Sequence, residues 1–149
     1  SGGFHGLPQD HNKALDLWHR AAKLGNTKSY YSIGVAYDLG NGVERDEKMA
    51  RHYHELSAME GMVLARYNLG GEEYEAGNYD KASKHYMIAV RGGDTDSVKE
   101  IQDMYMDGHV TKDQYANALR SYQAYVNEIK SEQRDKAAVF TEMLLGGSK

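Results

Sequence analysis

The chain has no cysteine, a single proline, one tryptophan and two phenylalanines among its 149 residues. Without cysteine there is no disulfide framework, no cysteine-based zinc site and no thiol nucleophile. The absence fits a reducing compartment and favours a cytoplasmic setting. An excess of positive charge is also missing, because 18 Lys and Arg stand against 22 Asp and Glu for a net charge of −4. That balance lacks the basic footprint of a nucleic-acid binder. No stretch approaches the roughly 18 apolar residues of a membrane span, and Ser1–His5 has neither the basic nor the apolar region of a signal peptide. What the chain does have is 16 glycines and 12 tyrosines. Its length suits one domain with a real core. Glycine at about 11 per cent of residues exceeds the usual ~7 per cent, and glycine weakens helices, so its placement needs explaining.

A shift of 36 residues superposes the chain on itself. Gly6-Leu7-Pro8-Gln9-Asp10 falls on Gly42-Val43-Glu44-Arg45-Asp46, Ala14 on Ala50, Ala22 on Ala58, Gly25 on Gly61, Tyr31 on Tyr67, Ile33 on Leu69 and Gly34 on Gly70. A further shift of 32 places Ala82 on Ala50, Gly93 on Gly61 and Ile101 on Leu69, the four missing residues lying in the loop at Gly77-Asn78-Tyr79-Asp80. Glycine recurs with the period.

Between glycines the apolar spacing is helical: Ala14, Leu17, Trp18, Ala21 and Ala22, then Ala50, Tyr53, Ser57 and Ala58, then Ala82, Tyr86, Ala89 and Val90. Asp10, Asp46, Asp80, Asp94 and Asp113 stand where N-caps are wanted, and Gly25, Gly61 and Gly93 where left-handed C-caps are wanted. Helices are expected near 10–24, 27–39, 46–59, 62–76, 79–91, 95–107 and 111–143, with no strand. Such pairs cannot bury their apolar faces alone, so the expected fold is all-α, an α/α solenoid of antiparallel helix pairs. Its units are a half-repeat at 6–25, repeats at about 26–61, 62–93 and 94–110, and a long C-terminal capping helix at 111–143. Gly34 and Gly70 fall inside helices, where glycine costs about 1 kcal/mol relative to alanine. The expected compensation is close approach of a large aromatic from the second helix of the pair. Gln102 replaces glycine in the third copy and predicts a looser or differently spaced crossing.

Ile33-Gly34, Tyr37, Gly40-Asn41-Gly42-Val43, Asp46, Ala50, Ala58 and Gly61 resemble the Sel1-like repeat, a relative of the tetratricopeptide repeat, over roughly residues 6–110. Gly77-Asn78-Tyr79-Asp80-Lys81-Ala82 looks closer to a tetratricopeptide turn. The resemblance implies a superhelical adaptor or scaffold that binds other proteins, with no catalysis and no cofactor of its own. A Cys-rich secreted branch of that family is excluded by the lack of cysteine. The start within a loop before a second helix suggests a piece of a longer array, and residues 1–5 and 146–149 read as linker.

In such solenoids the first helix of each pair lines the concave face. By register, the groove positions are Lys28, Tyr31, Val35 and Asp38, then Leu64, Tyr67, Gly71 and Tyr74, then Lys99, Asp103 and Met106. Tyr31, Tyr67 and Tyr74 offer rigid area and a hydroxyl for a peptide or helix of another protein, or else serve as half-buried packing residues. Seven histidines raise the question of a metal, but His52 and His54 are two apart on a helix and point to different sides. His54 aligns with Trp18 and Tyr86, and His85 with Leu17 and Tyr53, which makes them core positions rather than ligands. Residues 43–76 carry eight acidic and four basic side chains, read as a solvated face or as a site for basic partners. Gly40-Asn41-Gly42 follows no strand and is a turn rather than a phosphate loop. No nucleophile and base pair stands out, so an enzyme is not expected.

At the C-terminus Tyr115, Leu119, Tyr122, Val126, Ile129, Gln133, Ala137 and Phe140 mark one face of a helix about twice the length of the others. Its first half caps the stack. Its second half is left to fold back along the groove, to meet another copy through Val126, Ile129, Gln133, Ala137 and Phe140, to dock elsewhere, or to protrude. A structural part of a larger assembly is therefore the alternative to a peptide-binding module. An RNA-binding repeat is disfavoured by Asp38 and Asp103 in the groove, since phosphate contacts need positive charge.

Overall fold

The computed structural model of the chain describes residues 9–23 and 27–146. These form seven α-helices: α1 (Gln9–Lys23), α2 (Thr27–Leu39), α3 (Glu47–Met59), α4 (Val63–Glu75), α5 (Tyr79–Arg91), α6 (Thr95–Met106) and α7 (Lys112–Gly146). No strand occurs among the described residues. Each helix packs on its neighbour in sequence, and α5 also packs on α7. The expected α/α solenoid is the fold. The capping helix runs three residues past its expected end. Expectations for Gly25, for the loop at Gly6-Leu7-Pro8, for the side chains of Asp10 and Ala22 and for most of both linker segments lie outside the described residues.

The helix ends follow local chemistry. The Asp46 carboxylate accepts from the backbone N–H groups of Lys48 and Met49 at 3.0 and 3.1 Å, and Asp94 accepts from that of Ser97 at 3.0 Å. Asp80 and Asp113 are not caps. They lie inside the first turns of α5 and α7, where negative charge complements the helix dipole. Before α7 the cap is Thr111, whose hydroxyl accepts from the Gln114 N–H while the Gln114 side chain accepts from the Thr111 N–H. That reciprocal pair is a capping box. Gly61 and Gly93 end α3 and α5 with φ of +94° and +89°, a region that side chains with a Cβ rarely enter.

The core is built from small residues at the crossings and a large aliphatic that recurs on α2, α4 and α6, with Val90 and Met104 also fully buried. Ile33, Leu69 and Ile101 recur as fully buried side chains, with Ala50, Ala65, Ala82, Ala89 and Ala118 beside or between them. Tyrosines fill the margins. Tyr53 stacks on Tyr37 at 5.9 Å and on Tyr30 at 6.3 Å, and burial pushes its hydroxyl pKa up.

The two helix-interior glycines mark the closest crossings. A Cβ on Gly34 would meet the His54 ring at 2.7 Å, and one on Gly70 would meet the Tyr86 ring at 2.7 Å. His54 and Tyr86 are the aligned core positions of α3 and α5, and both are buried. In the third pair the position that follows in the same register is Ala118, also buried, while Gln102 is exposed. A small residue has replaced the large ring where the glycine has been lost. The α6–α7 interface is correspondingly thinner than those of α2–α3 and α4–α5.

Candidate partner-binding face

The helices α2, α4 and α6 carry the positions that register assigns to a groove. Lys28, Leu64, Lys99, Asp103 and Met106 are exposed, and Tyr31, Val35, Asp38, Tyr67, Gly71 and Tyr74 are half-buried. None is lost to the core. The tyrosines are half-buried and pack in part against the second helix of each pair. Tyr31 lies 5.6 Å from the His54 ring and its hydroxyl accepts from Asn68 at 3.5 Å. Tyr67 lies 5.8 Å from Tyr86, and Tyr74 meets Tyr79 edge-on at 5.2 Å. In each case one part of the ring leans on the second helix and the rest is accessible. α7 packs on α5 and α6 and its far half is exposed throughout, so it does not fold back along this face.

Asp38 has a structural partner that register did not reveal. It pairs with Nε2 of the fully buried His54 at 2.9 Å. Nδ1 of His54 has no hydrogen-bond partner and faces Gly34. Nε2 is thus the ring nitrogen that donates to the Asp38 carboxylate, which can only accept. His85 is half-buried rather than fully in the core, with Nδ1 3.4 Å from Arg66. Burial, and then the Arg66 charge, hold its imidazole below the usual histidine range. No group of three or more metal-ligating side chains occurs among the described residues.

The acidic run of α4 divides into two roles. Glu73 is buried and is bound by Arg51 of α3 and by the Asn78 side chain at 2.8 Å. These hydrogen bonds hold its carboxyl below the ordinary carboxylate range. Arg51 also reaches Glu55 at 2.9 Å and Glu72 at 3.5 Å, and so ties α3 to α4. Glu72 behaves differently: burial pushes its carboxyl up, more than the Arg51 charge draws it down. Around it an open pocket of about 650 Å³ is lined by Asp38, Glu47, Lys48, Arg51, Gly71, Glu72 and Glu75. Its lining sets four carboxylates against Lys48 and Arg51, with Asp38 held by His54, Glu47 by Arg45 and Glu72 by Arg51. Further along, burial first and then the charges of Glu100, Asp96 and Asp94 raise the Tyr67 hydroxyl. Glu100 itself is raised by burial and by Asp103. Acidic side chains therefore surround the Tyr67 end of this face. Sequence reasoning treated the acidic residues of 43–76 together, as a solvated face or as a site for basic partners; only the Arg51 and Asn78 contacts separate the buried Glu73 from the carboxylates at the pocket.

A model of the Sel1 repeat matches residues 2–26, 27–62 and 63–94, more than half of the chain. The chain belongs to the Sel1 repeat family. Members of this family are generally adaptors or scaffolds rather than enzymes. The chain is similar to the ERAD-associated E3 ubiquitin-protein ligase component HRD3B of Arabidopsis thaliana, with 35% identity over 68 residues that make up 46% of this chain and 11% of that protein. A putative sel1-like repeat-containing protein, L21 of Acanthamoeba polyphaga mimivirus, is 31% identical over 72 residues, 48% of this chain and 14% of its own length. The match thus spans only a small part of these relatives. Among solved structures, a Sel1 repeat protein from Oxalobacter formigenes superposes with a TM-score of 0.61 at 28% identity, covering 85% of this chain and 52% of that one. The protective antigen c5321 of uropathogenic Escherichia coli, which displays the same repeat fold, gives 0.61 at 29%, covering 76% and 25%.

Proposed function

We propose that this Sel1 repeat protein is a binding module that takes a peptide or helix of another protein on the α2–α4–α6 face, with at least one cationic side chain of that ligand at the Asp38–Glu72–Glu75 pocket. The observation that carries this reading is the presence, on the same helices α2 and α4, of the part-exposed Tyr31, Tyr67 and Tyr74 and of an open pocket lined by four carboxylates and two cations. Glu72 is the key group, since its carboxyl is raised by burial and an incoming ammonium or guanidinium restores the favourable charge. The tyrosines supply area and hydroxyl donors at low entropic loss, and a few such anchors dominate peptide affinity. HRD3B is by name a component of a ligase assembly, which supports an adaptor role. A second reading, a structural section of a larger array with no free ligand, is favoured by the small share of its relatives that the chain spans.

Selection of peptides from a random display library on the full chain tests the proposal. Enrichment of sequences with Lys or Arg next to an aromatic or aliphatic residue is expected. Binding should fall at least tenfold in the double variant Glu72→Gln/Glu75→Gln, whose changes leave the Arg51–Glu73 link in place. Selected peptides that bind the double variant unchanged, or a library that yields none, would refute it.

A further inference from the structure

The Tyr86 ring lies against the backbone of Gly70, and its hydroxyl ends beside Gly71, 3.8 Å from where a Cβ on that residue would stand. Among the described residues that oxygen is the one atom of another helix within 4 Å of the position. Tyr86 is 2% exposed, and no described residue hydrogen-bonds its hydroxyl. The unpartnered side-chain atoms sealed from solvent among the described residues are His54 Nδ1 and Arg66 Nε. The Tyr86 oxygen is not one of them, so it keeps an opening to the surface. Gly71 is half-buried and lies between Tyr67 and Tyr74 on the same face of α4, four residues from one and three from the other. The side chain that glycine lacks leaves a gap above the phenol.

The aligned crossing of the first pair shows what the second has lost. Tyr31 and His54 meet there at 5.6 Å and 51°, as Tyr67 and Tyr86 meet at 5.8 Å and 53°. The two crossings share one geometry. In the first pair the buried Nε2 of His54 is matched by Asp38 at 2.9 Å, and Val35 occupies the position of Gly71. A shift of 36 turns Asp38 into Tyr74, whose ring meets Tyr79 edge-on at 5.2 Å instead. The acceptor and the side chain at the Gly71 position are both gone. A buried hydroxyl without a partner lowers stability, and where a ligand can reach it that loss becomes affinity. Burial first, and then the charges of Glu100, Tyr67, Tyr74 and Glu75, push the Tyr86 hydroxyl pKa up, which keeps the phenol a neutral donor. The same carboxylates repel an anionic acceptor. A neutral carbonyl fits, and a glycine gap lets a main chain come close enough to present one.

Resting on the peptide-binding reading above, we propose that the Tyr86 hydroxyl, reached through the gap at Gly71, donates a hydrogen bond to a main-chain carbonyl of the bound peptide. Tyr86→Phe removes the hydroxyl alone. Its melting temperature should equal or exceed the parent's, because no hydrogen bond within the chain is lost. Its affinity for a peptide selected from the display library should fall about three- to tenfold, the worth of one hydrogen bond. Gly71→Ala sets a methyl against the hydroxyl and should weaken the same peptide by about threefold or more while the fold gains stability. Replacing single amides of the peptide by esters weakens the carbonyl of that linkage as an acceptor and so finds the partner. At one linkage the ester should weaken binding to the parent and have no further effect on Tyr86→Phe. Peptides that bind Tyr86→Phe as tightly as the parent, a lower melting temperature of Tyr86→Phe, or ester effects equal in both proteins at every linkage would each overturn the donor and leave the peptide reading standing. A library that yields no peptide overturns that reading and the donor with it.

Discussion

Replacing Gly70 by alanine sets two effects of opposite sign against each other. In a helix interior the change is worth about 1 kcal/mol in favour of alanine. Here, however, the new Cβ would lie 2.7 and 2.8 Å from Cε1 and Cδ1 of Tyr86 and 3.0 Å from its Cζ, against ordinary carbon separations of about 3.5–4.0 Å. These are mid-ring atoms of a residue that is 2% exposed, so the ring cannot swing aside without moving α5. Overpacking of this kind costs about 1–3 kcal/mol, and a net loss of up to about 2 kcal/mol is expected. For a chain of this size that lowers the melting temperature by up to about 8 °C. Gly71 provides the control: its added Cβ would meet only the Tyr86 hydroxyl at 3.8 Å, so Gly71→Ala should stabilise by about 0.5–1 kcal/mol. The same substitution at adjacent positions should thus move the chain in opposite directions in thermal or urea melts. In a Tyr86→Ala background, Gly70→Ala should become favourable, a coupling that a double-mutant cycle reads directly. Gly70→Ala as stable as Gly71→Ala would show that the crossing is not set by ring-to-backbone contact.

Asp38→Ala should destabilise by about 1–3 kcal/mol, because it leaves the Nε2–H of the fully buried His54 without its acceptor; an unchanged melt would remove that pair from the account. Glu73→Gln should be pH-dependent. The folded carboxyl of Glu73 lies below its ordinary value, so its stabilisation is complete above about pH 4.5 and is lost as pH falls through the lowered value. The variant should therefore lose about 1.5–3 kcal/mol at pH 7 and converge on the parent in acid, in urea melts at several pH values. Glu72, whose folded carboxyl is raised, contributes with the opposite sign, so Glu72→Gln should leave stability at pH 7 equal or improved. Gly61→Ala should show left-handed strain alone, about 1–2 kcal/mol, since nothing lies within 4 Å of the added Cβ. Gly93→Ala should lose more in the same melts, because its Cβ would also strike the Tyr125 ring of α7.

The helices were legible because the same local signals recur with the period. Glycine after a helix, alanine at a crossing and aspartate before α3 and α6 all act through neighbouring backbone. The pairing of Gly34 with His54 and Gly70 with Tyr86 was also legible, since aligned copies show a vacancy and a large ring at matched positions. Local spacing failed where a neighbour competes for the same end. Asn78 and Thr111 stand at the starts of α5 and α7, and the aspartates two residues on fall inside the first turns. The Arg51 links to Glu72 and Glu73 join residues more than 20 apart and depend on how α3 lies over α4, which periodicity does not report. For the same reason Asp38 was assigned to a ligand face without its histidine, and Glu73 was grouped with carboxylates that face solvent.

Backbone amide chemical-shift mapping, with a library-selected cationic peptide titrated into the full chain, tests the binding role most directly. Shifts should cluster on residues 28–38, 64–75 and 99–106 and fade when Glu72 and Glu75 are both replaced by Gln. Perturbations confined to α1, α3 and α5, or to the far half of α7, would contradict a partner site on the α2–α4–α6 face.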